Sequence, residues 1–200
     1  NPAHIFAIES AYGGPWGLKR LVREAHRRGL AVVFDVVYNH FGPGDLDLWR
    51  FDGWGEGDGG GIYFYNDARA ATPWGHTRPD YGRPEVRDYI RENVRYWLEE
   101  CRIDGLRWDA TAYIRNRAGN TDDPAHDIPD GWGLMQRINA ETDERQPWKL
   151  HIAEDLRNND WITRDTEAGG AGFESASSRC CACAAAFGSG GGVTRLRSPN

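Results

Sequence analysis

Three short apolar runs, residues 31–37 (AVVFDVV), 103–108 (IDGLRW) and 150–153 (LHIA), alternate with stretches of helical period, and no other feature restricts the fold as much. The first run is β-branched and lacks polar alternation, the pattern of a parallel strand covered on both faces. Before it, Leu18, Leu21, Val22 and Ala25 recur at helical spacing, and Gly29 follows the basic turn His26-Arg27-Arg28 as a stop. A helix over 16–28 is therefore expected. Pro84 at a first-turn position and an apolar face of Val86, Tyr89, Ile90, Val94, Trp97 and Leu98 predict a second helix over 84–100. An irregular stretch should run to Asp130, followed by a third helix that turns Trp132, Met135 and Ile138 inward. Helix and strand in strict alternation require an α/β fold with a parallel sheet and right-handed crossovers, either doubly wound or closed as a barrel.

Length and charge narrow the function classes. The 200 residues, 40% hydrophobic, suffice for one core or for part of a larger domain. A net charge of −6 argues against nucleic acid or an anionic membrane surface as partner, and no apolar run is long enough to span a bilayer. Cys101 stands alone, while Cys180, Cys181 and Cys183 lack the paired spacing of a zinc site. Without a disulfide framework the chain suits a reduced, cytoplasmic setting. Composition changes abruptly near residue 175: residues 176–200 hold no Trp, Tyr, Asp or Glu. That segment reads as a low-complexity tail, either a flexible Gly/Ser/Ala linker or the product of a shifted reading frame. Residues 1–175 carry the fold.

The connection between the first strand and the second helix, residues 41–83, is too long for an ordinary strand-to-helix loop and is expected to be a functional insertion. It is dense in rings, among them Phe41, Trp49, Phe51, Trp54, Tyr63, Phe64, Tyr65, Trp74 and Tyr81. Aromatic faces suit the CH-rich faces of sugars, but the same rings could form the insertion's own small core.

Each apolar run closes on a carboxylate: Asp35 late in the first, Asp109 just after the second, Glu154 just after the third. Ionised groups are costly in a core, and parallel α/β folds build ligand sites at the carboxyl ends of their strands. One such residue could be a helix cap; three in successive strands point to a shared site. Arg107 and Asp109 project to the same side of an extended segment, so the arginine can hold the aspartate ionised as a nucleophile requires. Glu154 follows apolar residues and adjoins Asp155, surroundings expected to raise its pKa. An ionised aspartate with a protonatable glutamate is the pair needed for retaining glycoside cleavage. Asp35, Asn39 and Asp109 are also hard oxygen donors, although Arg107 would oppose a cation among them.

DVVYNH (35–40), GLRWDAT (105–111) and IAEDL (152–156) resemble, in order and spacing, the first three signature regions of the α-amylase family of glycoside hydrolases, family thirteen. AYGGPWGLKRLVREAHRRGL resembles the helix before that family's third barrel strand, and the ring-rich insertion sits where the family has its domain B. The resemblance covers residues 1–175. It implies a partial TIM (β/α)8 barrel spanning about strands three to five, with a domain-B-like insertion at 41–83. It further implies Asp109 as nucleophile, Glu154 as general acid/base and Arg107 as the residue that orients the nucleophile. His40, Asp35, Tyr38 and Trp108 would bind substrate, and Asn39 would support the domain B junction, in some members through calcium. No other cofactor is implied. Within the family, DVVYNHFGP and IAEDL are most similar to the branching-enzyme and maltooligosyl-trehalose trehalohydrolase groups, whose substrates are α-glucans.

The fourth signature of the family, a later strand ending in a His-Asp pair, has no counterpart here, so an incomplete barrel, inactive by itself, is expected. Two other classes compete. GEGDGG at 55–60 fits the dinucleotide fingerprint G-x-G-x-x-G, but in a loop and with Glu56 and Asp58 set to repel a pyrophosphate. A non-catalytic sugar-binding protein on the same scaffold would be signalled by loss of Asp109 or Glu154, and both are present. His4, His26, His76, His126 and His151 are scattered without i, i+4 pairing, which suggests surface or capping roles.

Overall fold

The computed structural model describes residues 2–42, 48–121, 123–157 and 159–177. Among these, helix α1 (Gly14–His26) leads to strand β1 (Val33–Val36), and helix α2 (Pro84–Arg95) leads to β2 (Gly105–Trp108). A short helix α3 (Ala112–Arg115) and the longer α4 (Pro129–Arg145) precede β3 (Leu150–Glu154), and β4 (Ser175–Ser177) closes the series. The strands form one parallel sheet in the order β1-β2-β3-β4. The α/β alternation expected from the periodicity is therefore present through β3, in a strand order consistent with consecutive strands of a barrel.

Local chemistry sets the helix ends. Gly13, at φ 98°, caps α1 ahead of Pro15, and Pro84 and Pro129 occupy the first turns of α2 and α4, where a missing N–H costs nothing. The expected apolar faces are buried: Val86, Ile90, Val94, Trp97 and Leu98 after Pro84, and Leu134, Met135 and Ile138 in α4, with Trp132 packed at the edge. Leu21 is an exception, 60% exposed on the outer side of α1 while Leu18 and Val22 face the core. Gly131 lets the first turn of α4 lie against α3, since a Cβ there would stand 2.0 Å from the Ile114 carbonyl oxygen.

The sheet has two unlike faces. Phe34, Leu106, Trp108 and Ala153 point into the helical layer, where Phe34 meets Trp97 with ring centroids 4.7 Å apart. The opposite face carries Val33, Asp35, Arg107, Ile152 and Glu154, and of these Val33 and Ile152 are only half-buried and the Asp35 side chain is 62% exposed. Burial of the first strand on both faces, expected from its composition, is thus not met within the described residues: Asp35 interrupts the apolar run on the face that carries the site.

Two elements were not anticipated. β4 is short, polar and exposed, and it forms because the ladder with β3 recruits it rather than because of side-chain burial. Phe173 anchors it, edge-on to Trp108 at 5.5 Å. Helix α3 lies inside the stretch expected to be irregular. The tail proposed for 176–200 falls, beyond Ser177, outside the described residues. No described helix is long and apolar enough to cross a membrane.

Candidate active site

Strand alternation and register bring the three carboxylates together. Asp35 stands opposite Arg107 in the β1–β2 ladder, and Arg107 opposite Ile152 in the β2–β3 ladder, so Glu154 lies one step further toward the carboxyl edge. Asp109 continues the ladder past β2, donating its backbone N–H to the Val36 carbonyl at 2.8 Å. Next, Ala110 takes up a left-handed conformation, φ 43°, which turns its N–H onto Glu154 Oε2 at 3.0 Å. A non-glycine residue in that region is strained by about 1–3 kcal/mol, a cost characteristic of functional turns.

Arg107 is the hub. Its Nη1 donates to both Asp35 oxygens, at 2.8 and 3.0 Å, and to Asp109 Oδ1 at 3.0 Å. Its Nη2 approaches Glu154 Oε1 at 2.6 Å as an ion pair, with geometry too bent for a hydrogen bond. Burial opposes the Arg107 charge, but the hydrogen bond and charge of Asp35, with the charges of Glu154 and Asp109, outweigh it and hold its pKa above the ordinary value. Exposure falls across the cluster, from 62% for the Asp35 side chain through 26% for Asp109 to 9% for Glu154.

Asn39 and His40 complete the wall. Asn39 Nδ2 donates to the Asp109 carbonyl oxygen at 2.7 Å and to Asp109 Oδ2 at 3.0 Å, and its Oδ1 accepts from His40 Nδ1 at 2.6 Å. Both oxygens of Asp109 are thus fixed by donors. No cluster of three or more His, Cys, Asp or Glu among the described residues could hold a metal ion. His40 is neutral, its pKa pushed down to about 4 by burial against the opposing pull of Asp109.

Two expected substrate residues lie elsewhere. Trp108 is fully buried on the helical face, donating from Nε1 to His151 Nδ1 at 3.0 Å, because residues 107 and 108 point to opposite sides of a strand. Tyr38 is buried as well, its hydroxyl donating to Asn93 Oδ1 at 2.8 Å, and Asn93 accepts there from Trp97 too. Tyr38 and Trp108 brace the layer behind the site and do not line it. Nor is His151 at the surface, as its position suggested; it is 1% exposed. Asp155, expected to crowd Glu154, turns away and pairs with Arg115.

Trp74 had stood out only as one ring among many. It stacks on His40 with centroids 4.7 Å apart and planes 10° from parallel, and Tyr113 meets it edge-on at 5.2 Å. Trp74 is 40% exposed, and through His40 it adjoins Asn39. Phe41, Phe64, Tyr65 and Tyr81 form the insertion's own core instead. Arg78, fully buried, ties the insertion together and to the α3 loop by donating to the carbonyls of Arg69, Ala71 and Arg117. The 55–60 segment is a turn between loops, with neither the strand nor the helix that a pyrophosphate site needs.

No family model matches the chain. Individual relatives do. A malto-oligosyltrehalose trehalohydrolase of Saccharolobus solfataricus is 37% identical over 150 residues, covering 72% of this chain and 24% of that protein. A 1,4-alpha-glucan branching enzyme GlgB of Kitasatospora aureofaciens is 38% identical over 180 residues, covering 84% of this chain and 23% of the relative. Among solved structures, a putative alpha amylase from Salmonella typhimurium superposes with a TM-score of 0.59 at 32% identity, over 77% of this chain and 23% of that one. The chain belongs to the α-amylase family. A pullulanase of Paenibacillus barengoltzii, solved with maltohexaose and alpha-cyclodextrin, also matches, at 30% identity and a TM-score of 0.54, over 70% of this chain and 19% of that one. The chain spans about a quarter of the length of the curated relatives it matches. As a member of the α-amylase family it carries a parallel α/β sheet consistent with part of the family's barrel.

Proposed function

We propose that this chain contributes the nucleophile and the general acid/base of a retaining α-glucan-active enzyme, with transfer to a glucan hydroxyl, as in branching, favoured over hydrolysis. The observation that carries this reading is the Arg107 guanidinium, which bridges Asp109 and Glu154 at the ends of adjacent strands. In the first step an Asp109 carboxylate oxygen bonds to the anomeric carbon. The bond from that carbon to the leaving oxygen breaks, and the leaving oxygen takes its proton from Glu154. In the second step Glu154 removes the proton of an acceptor hydroxyl, whose oxygen displaces Asp109 and restores both carboxyl groups. Asn39 and Arg107 hold the Asp109 oxygens in place through both steps, which reduces reorganisation.

His40 and Trp74 supply a rigid neutral wall for the sugar at the reacting position, and Asp35 braces Arg107 from the neighbouring strand. Residues 41–83 form one side of the cleft and residues 1–175 the catalytic unit. No cofactor enters either step. Hydrolysis is the second reading, supported by the trehalohydrolase relative, and differs only in that water takes the place of the acceptor hydroxyl.

Replacing Asp109 with Asn in a complete enzyme that carries this sequence, and assaying turnover of maltohexaose and longer α-1,4-glucans, tests the assignment. Loss of activity on the order of 10⁴-fold is expected, because a nucleophile acts as a unit with its partners. Turnover within about tenfold of the parent would refute it. Counting new branch points against new reducing ends then separates transfer from hydrolysis.

A further inference from the structure

The amino ends of the strands carry a second concave feature, at the opposite end of the sheet from the carboxylates. A groove of about 500 Å³ opens between α1 and the turn that enters β2. Lys19, Arg23, Arg27 and Arg102 rim it, and Val22 and Cys101, 2% and 1% exposed, form its floor. Burial pushes the Cys101 thiol up, so it serves as apolar floor and not as a nucleophile.

The charges here do not balance. Glu24 is shared by Arg23, Arg27 and Arg28, each at 3.3 Å, and Glu100 reaches Lys19 only at 3.9 Å. His26 is already engaged with Asp104 at 2.8 Å. Among the described residues Arg102 has no carboxylate within ion-pair distance. Four cations (Lys19, Arg23, Arg27, Arg102) thus line the groove with one carboxylate, Glu100, in a chain whose net charge is −6. A concave surface lined by one sign of charge repels itself and concentrates counter-ions, here anions.

The backbone is unusual at the same place. α2 does not end as an α-helix but widens into a π-turn over Tyr96–Glu100, and Arg102 follows at φ 59°. Both features cost stability, and both recur where a segment is shaped for binding. Together they place the Arg102 guanidinium on the rim.

We propose that this groove binds a small organic phosphate. Arginine forks match phosphate oxygens bidentately, and the volume lies in the range of small-molecule sites and exceeds what a bare ion would fill. An apolar floor under a cationic rim suits a ligand with one charged end and one carbon-rich end. The inference stands apart from glycosyl transfer, since binding is measured without turnover.

The test titrates the protein with glucose 6-phosphate, with inorganic phosphate and with uncharged glucose, by calorimetry and by amide chemical shifts. Glucose 6-phosphate should saturate, with shifts confined to residues 19–27 and 100–104, and glucose should not. Inorganic phosphate should compete for the same residues at least about tenfold more weakly. The double variant Arg23→Ala, Arg102→Gly should weaken binding by about tenfold or more; glycine accepts the backbone at 102 without strain, so the fold is kept. Failure to saturate below about 10 mM overturns the proposal. So do equal affinities of the variant and the parent, shifts centred on Arg107 and Asp109, or equal binding of phosphate and its sugar ester.

Discussion

Arg115 holds Asp155 through two hydrogen bonds, Nε to Oδ2 at 2.9 Å and Nη2 to Oδ1 at 3.1 Å, with side chains only 5% and 1% exposed. The pair joins α3 to the residue that follows Glu154. Thr111, one turn earlier, donates its N–H and its hydroxyl to the Glu154 carbonyl, at 2.9 and 3.0 Å. The chain behind the acid/base is therefore fixed by a charged contact that is itself sealed from water.

Removing one partner would leave a buried charge uncompensated. Arg115→Met or Asp155→Asn should each cost about 3–5 kcal/mol in urea unfolding, and the double variant Arg115→Met, Asp155→Leu less than the sum of the two. If each single change costs under about 1 kcal/mol, the pair is not what holds this corner.

Two buried histidines set an acid limit. Burial drives His151 down to about 3 and His40 to about 4, against about 6.5 in an unfolded chain. Both folded values lie below the unfolded one, so the stability from keeping these rings neutral is fully present above pH 6.5. It drains away as the pH falls toward 4 and 3, because the unfolded chain then binds protons that the folded one refuses. Denaturant midpoints should hold above pH 7 and decline steadily from pH 6.5 to 4. His151→Gln keeps a side-chain acceptor for Trp108 Nε1 and should flatten that decline; an unchanged slope would remove His151 as a cause.

How much of this was legible in the sequence depended on whether a residue's position was set by periodicity or by contacts between distant segments. Helical period and apolar runs carried α1, α2, α4 and the first three strands, and strand alternation put Arg107 and Asp109 on one side, which Asp35 joins only through the β1–β2 register. The same alternation, applied to Trp108, would have sent it to the opposite face, where it is. Tyr38 lies past the end of β1, and its burial depends on Asn93, more than fifty residues away. β4 has no apolar signal because ladder pairing alone makes it. Trp74 could not be separated from the other insertion rings by composition. The nearest clue was its position between Pro73 and Gly75 at a tight turn, the place where a ring is least able to bury itself.

Trp74 therefore supplies the sharpest test of the cleft. Stacked on His40, it covers one face of the imidazole and keeps water from it, while Asn39 Oδ1 accepts the hydrogen bond of the ring's Nδ1–H. In Trp74→Ala that face opens, the desolvation that depresses His40 weakens, and the nearby Asp109 charge, which favours the protonated ring, gains influence. The pKa of His40, followed by NMR of its ring protons, should rise from about 4 toward 6.5. Overall stability should fall only by the about 0.5–1.5 kcal/mol typical of one aromatic contact. Maltohexaose should bind less tightly, having lost a flat apolar face at the reacting end. A His40 that still titrates near 4 would mean that the insulation comes from the backbone around Asn39, and that Trp74 is a surface ring with no part in the wall.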